Sequence, residues 1–244
     1  MHDLLKPIDK ECFKKSIEDF YNMNTENPFH RFRSWEHCYL AFKNYFDSRN
    51  DFDNNIEDYL TLHLSFYLAS WGMYRGSTEL LKHDYKFNKD FVKILCNEEL
   101  STSLYNVDPR DFRKKEIREA FDNLIKRIQD GYNKYNKNFP SQTLISKILL
   151  GVLGCCPAYD RYVISVLTGS KITPKLSSKS IWEISQYLDN GGIYEIIDNS
   201  KGTFVLTDNK NISYPIMKII DMAFWQYGFN NKNKTKEIKY KKSV

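Results

Sequence analysis

Apolar residues recur at helical spacing along most of the chain. The residues from 110 to 135 show this most clearly, because their apolar positions lie three or four apart and the opposite face is charged. That pattern predicts an amphipathic helix on the surface of a bundle. The segment 56–75 is apolar on nearly all sides, and we therefore expect it to form a helix at the centre of the bundle.

Glycine and proline rarely interrupt this pattern, with 10 and 7 residues in a chain of 244. Such sparse interruption favours long helices over a turn-rich β fold. We predict an all-α fold, a single helical-bundle domain of about eight to ten helices over residues 1–228. A division into lobes 1–97 and 108–228 stays open. Residues 193–206 differ, because Asn-Ser-Lys-Gly between two apolar runs predicts one small β-hairpin.

The composition indicates a globular chain in a reducing compartment. Apolar residues make up 41% of it, which is too many for a disordered protein. The five cysteines include no Cys-x-x-Cys pair, a pattern typical of free thiols. The N-terminal residues lack the order of charged, apolar and small residues that defines a signal peptide. No uncharged apolar run approaches the length of ~20 residues that a helix needs to cross a bilayer. We expect a cytoplasmic protein that does not enter a membrane.

The formal charge of +5 is concentrated at the C-terminal end. The lysine-rich tail, residues 229–244, holds six lysines against Glu237, which accounts for the whole excess. The remaining residues are neutral overall. Such a tail can add salt-sensitive affinity for phosphate backbones. Its alternative interpretation is a solubilising end without a binding role.

Several catalytic and cofactor motifs are absent from the sequence. We find no Walker loop, no dinucleotide glycine fingerprint, no Gly-x-Ser-x-Gly elbow and no His-Glu-x-x-His helix. The five histidines are scattered, which disfavours a metal site. We predict neither a cofactor nor a metal.

The stretch 141–168, SQTLISKILLGVLGCCPAYDRYVISVLT, predicts two helices joined by a glycine-bearing turn. Gly151 and Gly154 flank this turn, where the missing side chains would let backbone N–H groups approach a nucleic-acid phosphate. Lys147, Arg161 and Lys171 add positive charge around it. These residues predict a helix-hairpin-helix-like corner that contacts DNA or RNA.

The same stretch resembles the helix-hairpin-helix DNA glycosylase superfamily, in particular bacterial relatives with an SK-L … P-x-aromatic-Asp-x-x-aliphatic pattern. The matching positions are Ser146, Lys147, Leu149, Pro157, Tyr159, Asp160 and Val163. The resemblance implies a catalytic Asp160 that assists loss of the base and a Lys147 that attacks the sugar. The hairpin here is Gly-Val-Leu-Gly, whereas that superfamily has Gly-x-Gly. In the alternative interpretation the stretch is a tight αα corner, in which Asp160 caps a helix and Arg161 pairs with a surface carboxylate.

A second catalytic hypothesis rests on the segment RFRSWEH. Arg31 and His37 match the loose Arg-x4–6-His pattern of HEPN ribonucleases, which are all-helical. In such a site His37 would act as acid or base, and Arg31 would stabilise the charged transition state. The alternative is an exposed arginine beside a histidine packed against an aromatic stripe.

Polar side chains on two apolar helices predict an internal pocket. They are His63, Trp71, Arg75, Asp221 and Trp225. A buried carboxylate needs a cationic partner, and we expect Arg75 or Arg161 to pair with Asp221. This pocket supports a third hypothesis, a non-enzymatic bundle that binds a ligand or a partner. The sequence decides neither the choice among these hypotheses nor the oligomeric state.

Overall fold

The computed structural model describes residues 5–48, 51–75, 79–96, 102–134 and 140–241, with side chains up to Lys232, and its fold is all-α. Within this part of the chain, backbone pairing between extended segments is limited to one isolated bridge, from Val205 to Ser213. The α-helices are α1 (Lys10–Glu26), α2 (Arg33–Ser48), α3 (Asn54–Ser70), α4 (Lys89–Leu95), α5 (Lys115–Asn133), α6 (Gln142–Val152), α7 (Arg161–Gly169), α8 (Ser178–Asn190), α9 (Tyr194–Asn199) and α10 (Ile216–Lys241). Short 3-10 helices cover Glu79–Lys82, Tyr85–Asn88 and Pro109–Arg113.

Local sequence fixes where many of these helices begin. A side-chain oxygen just before the helix accepts a backbone N–H of the first turn, which would otherwise have no partner. Residues of this kind are Asp9, Asp53, Ser141, Asp160 and Ser177. Each such cap contributes about 0.5–2 kcal/mol.

One hydrophobic cluster runs through the molecule, from Ile8 near the N-terminus to Trp225 in α10. Helix α1 packs against α10, α10 packs against α7, and α2 and α3 pack against each other and against α6. Helix α6 is the most enclosed of these, because every residue from Leu144 to Val152 is buried. The predicted lobes 1–97 and 108–228 stay a prediction.

Helix α3 is less enclosed than its sequence predicts. It buries Leu60, Leu64 and Leu68, whereas Tyr59 and Phe66 are 52% and 63% exposed. One face of α3 therefore packs on its neighbours and the other is an apolar surface. The expectation that the segment 56–75 lies at the centre of the bundle is therefore wrong for its exposed face, and the enclosed helix is α6.

The predicted β-hairpin at 193–206 is wrong. Residues Tyr194–Asn199 form helix α9, because Ile193, Tyr194 and Ile197 fall on one helical face and are buried. The chain then turns through Gly202, whose φ of 81° suits glycine. Val205, after this turn, is the residue that pairs in extended conformation, through the isolated bridge to Ser213.

The lysine-rich tail begins inside a helix. Helix α10 runs unbroken from Ile216 to Lys241, and residues 242–244 lie outside the described part of the chain. In the portion of the chain with described structure, we find no helix that could span a membrane.

Candidate ligand cavity

An aromatic cavity of about 600 Å³ opens between the end of α3, helix α6, the start of α7 and helix α10. Its aromatic lining residues are Trp71, Tyr162, Trp225 and Phe229. Its charged lining residues are Arg31, Arg75, Lys147, Asp160 and Arg161. This volume is within the range of small-molecule sites. The structure therefore joins residues from all three sequence hypotheses in one place.

Lys147 and Asp160 meet at this cavity. Helix α6 supplies Lys147, and Asp160 precedes α7; the Lys147 Nζ and the Asp160 Oδ2 are 4.0 Å apart. The connecting segment is held onto α6 through Tyr159. Its N–H donates to the Ser146 hydroxyl at 2.7 Å, and its carbonyl accepts from the Thr143 hydroxyl at 2.7 Å. These bonds fix the two functional groups relative to each other.

Burial disfavours the charged forms of both Lys147 and Asp160. Lys147 is only 4% exposed. Desolvation lowers the pKa of the Lys147 ammonium, and the nearby carboxylate of Asp160 opposes that shift. Desolvation likewise raises the pKa of Asp160, and Lys147 opposes it. Such a lysine loses its proton more readily than a surface lysine and so becomes a better nucleophile.

Asp160 has a second role, as a helix cap. Its Oδ1 accepts the backbone N–H groups of Tyr162 at 2.9 Å and Val163 at 3.2 Å. Arg161 makes no salt bridge to a carboxylate within the described residues; its guanidinium lies 4.6 Å from the centre of the Tyr162 ring and donates to the Tyr162 hydroxyl at 2.7 Å. The cap uses one oxygen of Asp160 and leaves the other facing Lys147.

Three basic side chains lie close to the ring of Trp71, more than to any other aromatic ring among the described residues. Lys147 Nζ lies 4.6 Å from the centre of its ring, Arg31 Cζ 5.6 Å and Lys218 Nζ 5.7 Å. The Trp71 indole N–H has no hydrogen-bond partner among the described residues. Trp71 therefore places a buried, unpartnered N–H beside several basic side chains.

Trp71 continues into an aromatic cluster on α10 and α7, because its ring meets that of Trp225 edge-on with centroids 5.8 Å apart. The rings of Trp225 and Phe229 are stacked with centroids 5.0 Å apart, and Tyr162 meets each of them edge-on. Lys232 Nζ lies 5.7 Å from the Tyr162 ring, where the lysine-rich tail begins. This cluster can hold a flat ring by stacking.

Asp221 lies behind the wall of the cavity and not in its lining. It pairs with Lys218 at 2.8 Å, and both side chains are buried. Its second oxygen accepts the Ala158 N–H at 2.9 Å. The expected pairing of Asp221 with Arg75 or Arg161 is therefore wrong. The spacing of Lys218 and Asp221, three positions apart on one helix, could have revealed the actual partner.

The two glycines of the predicted corner are interior residues. A Cβ added at Gly151 would lie 2.6 Å from the Tyr67 ring. Gly154 has a φ of 59°, and an added Cβ would lie 2.7 Å from Pro215. Both positions are buried, so these glycines serve close packing and their backbone is not at the surface. Lys171 is exposed after α7 but does not line the cavity.

The structure separates the two residues of the ribonuclease hypothesis. Arg31 lines the cavity, whereas His37 faces Asp208, with 3.9 Å between Nδ1 and Oδ2. No interaction within the described part of the chain joins Arg31 to His37. His63 also lies outside the cavity, with its ring 4.5 Å from that of Tyr59. Its pKa is lowered by burial and then by the nearby His37.

Sequence reasoning missed two aromatic residues that line the cavity, Phe229 and Tyr162. Phe229 stands four positions after Trp225 on the same helix, and this spacing would have indicated a shared face. Tyr162 lies next to the Asp-Arg pair of the motif. Lys218 does not line the cavity, and its approach to within 5.7 Å of the Trp71 ring centre could not be predicted from the sequence.

No protein-family model, curated protein or solved structure matches this chain. The part of the chain that is described contains no cluster of three or more His, Cys, Asp or Glu side chains that could hold a metal ion.

Proposed function

We propose that the aromatic cavity receives a nucleobase turned out of DNA, and that Lys147 and Asp160 cleave its N-glycosidic bond. The observation that carries this proposal is the buried Lys147–Asp160 pair, 4.0 Å apart in a cavity of about 600 Å³ with aromatic walls. Enzymes that act on a base take it out of the stack and hold it between aromatic side chains. The cavity has the volume for a base and aromatic side chains in its lining.

The reaction would proceed by displacement at the sugar. The neutral amine of Lys147 donates its lone pair to C1′ as the bond from C1′ to the base nitrogen breaks. The electron pair of that bond leaves with the base. Asp160 accepts a proton from the resulting secondary ammonium, and the departing base takes up a proton. Opening of the sugar ring then gives an imine between Lys147 and C1′. The lowered pKa of Lys147 and the carboxylate beside it support these two roles.

Positive charge at the cavity supports DNA as the partner. Arg31, Arg75 and Arg161 line it, and Lys232 begins the lysine-rich tail beside Tyr162. Arginine and lysine contact phosphates without regard to sequence. The resemblance of residues 141–168 to helix-hairpin-helix glycosylases supports the same assignment, because Lys147 and Asp160 occupy the matching positions. Because Gly151 and Gly154 are buried, we expect the arginine side chains of the cavity and Lys232, and not the glycine backbone, to contact the phosphates.

Borohydride trapping tests the proposal directly. The full chain would be mixed with a duplex that contains one abasic site and reduced with sodium borohydride, which fixes an imine as a stable covalent bond. We expect a protein–DNA band that is lost in Lys147→Met. The matched control Lys126→Met removes an exposed lysine of α5 outside the cavity and should trap like the parent.

Equal trapping by Lys147→Met and the parent would refute the lysine's role. If the chain binds duplex DNA with a strong salt dependence but never traps it, the result supports a DNA-binding factor without this chemistry.

A further inference from the structure

A second cavity, of about 400 Å³, lies between the 3-10 helix Pro109–Arg113 and helices α8 and α9. None of its lining residues lines the aromatic cavity. Its lining includes Arg113 from the 3-10 helix, Trp182 and Asp189 from α8, and Tyr194 from α9. We propose that this second cavity binds a free amino acid with an aromatic side chain, a ligand that carries one positive and one negative charge.

Two charged side chains of the second cavity have no ionic partner among the described residues. Arg113 presents an exposed guanidinium and Asp189 an exposed carboxylate, and these two groups form no ion pair with each other. A ligand with a single charge would satisfy one of these groups and meet like charge at the other. A ligand that carries both charges satisfies the two groups together.

The other charged residue of this lining, Arg110, is already paired within the protein. Its guanidinium donates to Asp108 at 2.7 Å and to Asp198 at 3.1 Å. Its Cζ also lies 4.6 Å from the centre of the Tyr194 ring, which ties the 3-10 helix to α9. Arg110 therefore stabilises the wall of the second cavity, and its charge is balanced before a ligand arrives.

Helix α8 favours one orientation of such a ligand. Trp182, Gln186 and Asp189 are three or four positions apart, so they lie on one face of the helix. Asp189 belongs to the last turn of α8, where the free backbone carbonyls favour a cation. The helix rises about 10 Å between Trp182 and Asp189. An amino acid with its ammonium at Asp189 can therefore place an aromatic ring against Trp182 and turn its carboxylate to Arg113.

A buried pair of hydroxyl groups in the lining offers a further donor. The hydroxyl oxygens of Ser185 and Tyr194 are 2.8 Å apart, and both residues are buried. Burial raises the pKa of Tyr194, so both hydroxyl groups keep their protons. One hydroxyl donates to the other, and neither makes a further hydrogen bond within the described part of the chain. The remaining proton is therefore available to a carboxylate oxygen of the ligand.

Three probes that differ in charge test this proposal. L-phenylalanine carries both charges, phenethylamine lacks the carboxylate, and 3-phenylpropionate lacks the ammonium. The probes would be titrated into the nitrogen-labelled full chain, with the Trp182 indole N–H resonance as the reporter, assigned by its loss in Trp182→Phe. We expect L-phenylalanine to bind with a Kd of about 1 mM or lower. Each analogue should bind about tenfold more weakly or worse, because it lacks one charged hydrogen-bonding group.

Two variants assign each charge of the ligand to its partner. Arg113→Gln should abolish the preference for L-phenylalanine over phenethylamine and keep the preference over 3-phenylpropionate. Asp189→Asn should have the converse effect. The matched controls Arg127→Gln and Asp130→Asn make the same changes of charge on α5, outside the cavity, and should leave both preferences unchanged. All four positions are exposed, and a thermal melt followed by circular dichroism checks that each variant is folded.

Equal binding of the three probes would overturn the proposal, and so would tighter binding of either analogue. An indole resonance of Trp182 that does not shift at roughly 20 mM L-phenylalanine would also overturn it, as would preferences that neither variant alters. The proposal does not depend on glycosidic cleavage, because the two cavities have no lining residue in common. Loss of the borohydride-trapped band would therefore refute the proposed function alone.

Discussion

Replacement of Asp160 by asparagine and by alanine separates the two roles of its carboxylate. One oxygen caps α7 by accepting the N–H groups of Tyr162 and Val163, and the other faces the Lys147 Nζ at 4.0 Å. Asparagine keeps an oxygen for the cap and is about as good as aspartate in that position. Both replacements remove the charge beside Lys147, so the difference in stability between them isolates the cap.

We expect Asp160→Ala to be less stable than Asp160→Asn by about 0.5–2 kcal/mol, the usual contribution of an N-cap. For a chain of this size that difference corresponds to roughly 1–8 °C in Tm. Both variants should lose base release and trapping by about 10²–10⁴-fold, because neither can accept the proton.

Urea unfolding followed by circular dichroism measures the first quantity, and borohydride trapping measures the second. Asp53 provides a matched control, because its side chain caps α3 outside the cavity in the same way. Asp53→Ala and Asp53→Asn should reproduce the difference in stability without changing the activity. An Asp160→Asn protein with full activity would show that the carboxylate is only a cap. Equal stability of the two Asp160 variants would show that the cap contributes nothing.

Three further predictions test the packing of the fold around Gly151, the titration of Lys147 and the hydrogen bonds of Glu36. Gly151→Val should lower stability by about 1–3 kcal/mol, because its Cβ would lie 2.6 Å from the Tyr67 ring; an unchanged urea midpoint would contradict the close packing. The trapping rate should rise with pH and level off below the value of about 10.4 for an ordinary lysine, because burial lowers the pKa of Lys147 and the neutral amine is the nucleophile; a plateau reached only above that value would contradict it. Glu36→Gln should cost about 1.5–3 kcal/mol, because this buried carboxylate accepts four hydrogen bonds, from Asn24, Tyr214 and the N–H and hydroxyl of Thr207; a thermal melt that matches the parent would refute that role.

The helices and several of their starting points could be predicted from the sequence, because spacing and capping are local properties. Asp160 illustrates this, since an aspartate before an apolar run is a cap whatever surrounds it. The burial of α3 and α6 could not be predicted in the same way. Both are apolar on most sides, and only the packing of neighbouring helices decides that Phe66 is exposed while Leu149 is enclosed.

The cavity could be predicted in parts but not as a whole. Lys147 and Asp160 are close in sequence, so one motif contains both. Trp71 and the cations around it come from distant segments, and no local pattern indicates that Arg31 and Lys218 approach the same ring. The predicted approach of the Gly151 and Gly154 backbone to a phosphate was wrong for a related reason. A glycine signals that something approaches closely, but only the fold shows that Tyr67 occupies the space beside Gly151.

Two lysine–aspartate pairs lie close to Trp71, and their difference bears on which of them does chemistry. Lys218 and Asp221 are in direct contact at 2.8 Å, and the other oxygen of Asp221 holds the Ala158 N–H. Both oxygens of Asp221 are therefore used within the protein, which is what a structural pair requires. The oxygen of Asp160 that faces Lys147 is 4.0 Å away, beyond hydrogen-bond distance, and both residues line the cavity. A ligand in the cavity can reach the pair of Lys147 and Asp160 without breaking a bond of the fold, and we therefore propose this pair, rather than Lys218 and Asp221, as the reactive one.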